Sequence, residues 1–95
     1  MRATDLLEVL QVLGEVGLLG RTHVAAQGGE VDIYVSLPAD RRAIVSVRHG
    51  LPLRDATPPA RVTLRVDRLA EHTVDADAAG LTWLRARLRE LTEAS

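Results

Sequence analysis

The chain has 95 residues, of which 46% are hydrophobic, enough for one core and too little for two. It contains no cysteine and no phenylalanine, which excludes disulfides, thiolate nucleophiles and cysteine-ligated metals and leaves Leu, Val, Ile and Ala to build the core. All 12 cationic residues are arginine, which rules out lysine Schiff-base or general-base chemistry; against 13 acidic residues they leave a net charge of −1, with no global field to attract nucleic acid or an anionic membrane.

The opening Met1-Arg2-Ala3-Thr4-Asp5 reaches an acidic residue before any long apolar run, unlike a secretory signal. No stretch approaches the roughly 20 apolar residues of a membrane helix, so a soluble, cytoplasmic protein is expected. Residues 4–16 read as a first helix, with Asp5 as N-cap and Glu8 three positions later in a capping-box arrangement. Leu6, Val9, Leu10, Leu13 and Val16 form its buried stripe, with Glu8, Gln11 and Glu15 opposite. Gly14, Gly17 and Gly20 follow, and any of them can carry the positive backbone angle that ends a helix.

Three later segments alternate with period two. Val31, Ile33, Val35 and Leu37 interleave with Asp32, Tyr34 and Ser36; Ala43, Val45 and Val47 with Ile44, Ser46 and Arg48; Val62, Leu64 and Val66 with Thr63, Arg65 and Asp67. Each has one apolar and one largely polar face, the pattern of an antiparallel sheet covered on one side. A weaker run, 21–26, adds a strand joined through Gln27-Gly28-Gly29 to the next. Pro38-Ala39-Asp40-Arg41 reads as the second hairpin turn, with Pro presetting the backbone angle.

The connection 49–60 carries Pro52, Pro58 and Pro59 and displays Leu51 and Leu53, which are candidate contacts for a partner. Beyond the last strand, Leu81, Leu84, Leu88 and Leu91 make the buried stripe of a final helix. Trp83, the only tryptophan, falls off that stripe, on a face with Ala79, Ala86, Arg87 and Glu90. It reads either as an interface anchor, since Trp is enriched among hot spots, or as a ring folded over the flank of its own domain. The expected architecture is one α+β domain over 1–95, a two-layer sandwich. Its antiparallel sheet has three to four strands, with an N-terminal and a C-terminal helix on one face.

Candidate chemistry is sparse. His23, Asp32 and Ser36 can share the outer sheet face, but no strained turn or oxyanion setting surrounds Ser36, and a solvated polar face accounts for them. His72, Asp75 and Asp77 are metal-donor types at compact spacing; with Thr73 they also stand where the last helix begins, and capping explains them better. No metal or cofactor is expected. Arg21, Arg48 and Arg65 can share the outer face and grip an anion through their planar forks, but Asp32 and Asp67 are candidates for the same face, and local pairing with them explains the arginines better.

The helix Leu-Leu-Glu-Val-Leu-Gln-Val-Leu at 6–13, Gly20 before a short strand, Gly28-Gly29 leading into Val31-Asp32-Ile33-Tyr34-Val35, and the hairpin strand Ala43-Ile44-Val45-Ser46-Val47 together resemble the N-terminal half of the PATAN-type domain of bacterial response regulators. The resemblance implies a noncatalytic interaction module in bacterial signalling and carries over no catalytic residue. The leading expectation is therefore a noncatalytic protein-interaction or adaptor module, homodimeric or docking a protein partner through Trp83, Ala79, Ala86, Arg87, Leu51 and Leu53. The alternative is a domain that binds a small ligand or anion on the arginine-bearing face or beneath the 49–60 loop. Third comes an enzyme using His23 or His49.

Overall fold

Alternation decides which way each strand faces. In β2 (Glu30–Ser36) the buried residues are Val31, Ile33 and Val35; in β3 (Arg42–Arg48) they are Ala43, Val45 and Val47; in β4 (Arg61–Val66) Val62, Leu64 and Val66 point the same way. Outer strands β1 (Thr22–Gln27) and β5 (His72–Asp75) complete a sheet of order β1-β2-β3-β4-β5, every neighbour antiparallel. The computed structural model describes residues 3–48 and 60–93, so His49, Leu51 and Leu53 lie outside the described residues.

Helices α1 (Ala3–Glu15) and α2 (Ala78–Glu93) both lie on the apolar face of the sheet. Val9, Val12 and Leu13 of α1 and Leu84, Leu88 and Leu91 of α2 join the inward strand residues in one buried cluster. Full burial of residues such as Ile33, Val45 or Leu88 is worth about 1.5–3 kcal/mol each. Arg85 of α2 bonds Glu15 of α1 across the top of the layer. The fold is thus an α+β sandwich of two layers, with five strands where the alternation indicated three to four. The fifth strand escaped because β5 has four residues and one aliphatic, Val74, too short for a period to show. Among the described residues no helix is long and apolar enough to cross a membrane.

Local chemistry corrects several sequence expectations. α1 begins at Ala3, so Asp5 stands inside its first turn, only 6% exposed, rather than at the N-cap; its negative charge still suits the positive helix end. The core stripe is rotated slightly, with Val12 fully buried while Leu6, Leu10 and Val16 are half-buried. Gly17 ends α1 at φ 79°, and the amides of Leu18 and Gly17 donate to the carbonyls of Leu13 (2.9 Å) and Gly14 (3.1 Å). Those paired bonds are a Schellman motif, and its usual apolar contact is met by buried Leu13 and Leu18.

The β1–β2 hairpin closes through Gly28 at φ 57°, an angle glycine adopts without strain. In the β2–β3 hairpin Pro38 does not set the turn. Ala39 and Asp40, at φ 61° and 58°, carry it, both in the left-handed region of a two-residue hairpin loop. At the start of α2, Asp77 is the cap, its Oδ1 accepting the Gly80 amide at 2.8 Å. Thr73 and Asp75 do not cap. They belong to β5, where Asp75 faces Arg61 at 4.0 Å.

Candidate functional site

The face of the sheet away from the helices is organised in rows by the strand register. One row sets His23, Tyr34, Ile44 and Arg65 directly opposite one another across β1 to β4. The next row, toward the β2–β3 turn, pairs Ser36 with Arg42, flanked by Arg21 just before β1 and by Asp67 and Arg68 just after β4. Together with Gly20 and neighbouring backbone, these residues line an open concavity of about 790 Å³. Its floor is apolar and aromatic: Tyr34 is 43% exposed, and its ring lies 6.3 Å from that of His23 at a 44° tilt, beside half-buried Ile44.

The charge of this concavity is one-sided. Arg21, Arg42, Arg65 and Arg68 line it against a single carboxylate, Asp67, and among the described residues none of the four guanidinium groups is in an ion pair. Asp67 is already committed. Its Oδ1 accepts the Arg42 amide at 2.9 Å and its Oδ2 accepts Arg41 Nε at 3.1 Å, holding the corner where β3 begins and β4 ends. The Arg42 amide and then the Arg41 side chain favour the charged form, keeping the Asp67 carboxyl below its ordinary pKa.

The opposite end of the same face is arranged differently. There the register lines up Gln27, Glu30, Arg48, Arg61 and Asp75 in one row, and the two arginines each find an acid: Arg48 to Glu30 at 3.3 Å and Arg61 to Asp75 at 4.0 Å. The row between holds Ala25, Asp32, Ser46, Thr63 and Thr73, with the buried Thr63 hydroxyl 3.0 Å from that of Thr73. The expectation that Asp32 would neutralise the outer arginines is corrected. Arg48 takes Glu30, Asp67 takes Arg41, and among the described residues Arg21 and Arg65 have no acidic partner.

Other candidate sets come apart. The register sets His23 opposite Tyr34, one row from Ser36 on one side and one row from Asp32 on the other, but among the described residues no hydrogen bond joins the three, and the His23 ring lies against Tyr34 instead. His72, Asp75 and Asp77 go to three places: the helix side of β5, the Arg61 pair and the α2 cap. Among the described residues no three such side chains gather. Trp83 is half-buried, packed on the core cluster with its ring 5.8 Å from that of His72; Ala79 and Ala86 are exposed, and Arg87 bonds Glu90 at 3.0 Å. Its place off the leucine stripe follows from β5, the strand that the alternation did not reveal.

Sequence reasoning included Arg21 and Arg65 but missed Arg42 and Arg68. Arg42 was within reach, since the parity that turns Ile44, Ser46 and Arg48 outward turns Arg42 outward as well. Arg68 sits in a turn, where parity says nothing. In comparison with family models, curated proteins and solved structures, the chain matches none.

Proposed function

We propose that this chain is a noncatalytic binding domain whose ligand is anionic and seats on the outer face of the sheet, at the end formed by Arg21, Arg42, Arg65 and Arg68. One observation carries the reading: four guanidinium groups that have no partner among the described residues ring a single concavity, while the arginines at the other end of the same face pair with acids. In a chain of net charge −1 such segregation is unneeded for folding, and planar forks suit carboxylate or phosphate oxygens. Converging polar groups over an apolar floor are the usual form of a small-ligand site.

Thermal melts in phosphate and in chloride at matched ionic strength test the reading. Phosphate should raise the melting temperature of the wild type in a saturable way and leave Arg42→Ala and Arg65→Ala unmoved, because only a ligand held by the folded state stabilises it. Equal response of all three proteins overturns the proposal.

Docking of another protein or a second copy, which the PATAN resemblance implies, is favoured by a separate feature. β1 is an uncharged edge strand, without proline, and Val24 on its helix side is 47% exposed, so among the described residues the edge is left unpaired for a further strand. Sedimentation across a concentration range, with Val24→Lys as the blocked edge, tests that reading: a wild-type dimer lost in the variant supports it, and a monomer throughout refutes self-association.

A further inference from the structure

We infer that the ligand of the arginine-lined concavity is a free mononucleotide, a planar heteroaromatic ring carrying phosphate; this rests on the anion-binding reading and names its ligand class. The floor of the site supplies the first half of the argument. Tyr34, His23 and Ile44 stand side by side in one register row with Tyr34 exposed. The polar neighbours on the rest of that face, Ser36, Asp32 and Ser46, show what a merely solvated surface looks like. A compact inorganic anion has no use for an aromatic floor, whereas a base or other flat ring stacks on it.

The rim supplies the second half. Arg42 lies one row beyond Tyr34 and Ile44 toward the turn, with Arg21 and Arg68 on either side of it, and Arg65 closes the aromatic row on β4. A ring resting on Tyr34 therefore has guanidinium groups on its turn side, where a phosphate attached to it would lie. More than one planar fork can bind a group with several charged oxygens, which fits phosphate better than a single carboxylate.

The chain length of the ligand is limited by what borders the site. Past Tyr34, Ile44 and Arg65 the surface passes into a smaller hollow of about 230 Å³ lined by Arg48 as well as by Glu30, Asp32 and Glu71; Glu30 neutralises Arg48, which leaves Asp32 and Glu71 as the carboxylates without a partner there among the described residues. A nucleic-acid strand continuing from the arginine end would drive its next phosphates into those carboxylates, at a cost in like-charge repulsion. The site thus accepts one nucleotide and turns away a polymer.

The test uses the full chain and isothermal titration with four probes: inorganic phosphate, ribose phosphate, adenosine monophosphate and a single-stranded oligonucleotide. Adenosine monophosphate should bind about tenfold more tightly than ribose phosphate, the scale of one base stacked on an aromatic ring. Tyr34→Leu, which keeps the bulk and removes the π-face, should erase that difference, and Tyr34→Phe should retain it. Equal affinity for ribose phosphate and the nucleotide overturns this inference but leaves anion binding intact. Tighter binding of the oligonucleotide also overturns it, and failure of all four probes overturns the anion-binding reading itself.

Discussion

Gly80→Ala sets two opposed effects against each other at one atom. Gly80 is buried in the first turn of α2, beneath the end of β5, and a Cβ there would meet the Asp75 carbonyl oxygen at 1.8 Å, its carbon at 3.0 Å and Asp77 Oδ1 at 3.3 Å. Helix propensity alone favours alanine by about 0.8–1.0 kcal/mol. The obstructing group, however, is backbone of β5 and cannot rotate aside; reaching ordinary contact at 3.4 Å requires α2 and β5 to separate by about 1.6 Å. Overpacking of this kind costs roughly 1–3 kcal/mol. The same displacement pulls the Gly80 amide from Asp77, now bonded at 2.8 Å, a cap worth about 1 kcal/mol. The clash wins. A net loss of about 2 kcal/mol is expected, which lowers the melting temperature of a domain this size by roughly 8–16 °C. Urea and thermal unfolding measure it, with Asp77→Ala, expected to lose about 1 kcal/mol, as the cap-only reference. A Gly80→Ala protein as stable as the wild type, or more so, would show that α2 is not seated on the end of β5.

Three further outcomes follow from the same geometry. Ala39→Gly should stabilise the protein by about 1 kcal/mol, because alanine at φ 61° carries left-handed strain that glycine does not; chemical denaturation checks it, and a loss of stability would show the β2–β3 turn to be built otherwise. Asp67 has a folded-state pKa below its unfolded value, so its contribution is fully present above the unfolded value and is lost as pH falls through the folded one. Asp67→Asn should therefore be less stable than the wild type at neutral pH and converge with it in acid melts, whereas a difference that persists unchanged into strong acid would sink the argument. Trp83→Ala should lose about 2 kcal/mol of stability through its lost packing on His72 and the core, with no change in sedimentation; altered association at unchanged stability would instead make the ring an interface anchor.

How much of this was legible varies with the physics involved. β2, β3 and β4 were readable residue by residue, because burial on one face forces a strict period of two, and the inward and outward sets in β2 and β3 stand where the alternation puts them. Thr63 is the exception, an outward polar residue that is nonetheless buried and satisfied by Thr73 on a strand the alternation did not reveal. The end of α1 was readable only to a choice among glycines, since which of them takes the positive angle depends on where Leu18 finds its pocket. The site was half legible. That Arg65 faces outward is a matter of parity, but Arg21 stands in a 3-10 turn, Leu19–Arg21, and not in the strand expected over 21–26, and that the two converge with Arg42 and Arg68 is a matter of register between strands, which no single segment encodes. Nor does any local signal say that Arg48 and Arg61 will be neutralised while those four will not.

The central claim, that the outer sheet face binds an anion at its arginine end, is tested most directly by following backbone amide resonances during titration with inorganic phosphate at constant ionic strength. The account predicts saturable shifts confined to Arg21 to His23, Tyr34 to Ser36, Arg42 to Ile44 and Arg65 to Arg68, with Glu30, Arg48, Arg61 and Asp75 at the paired end of the same face left unmoved. Shifts that spread over both ends alike, or none that saturate, would contradict it.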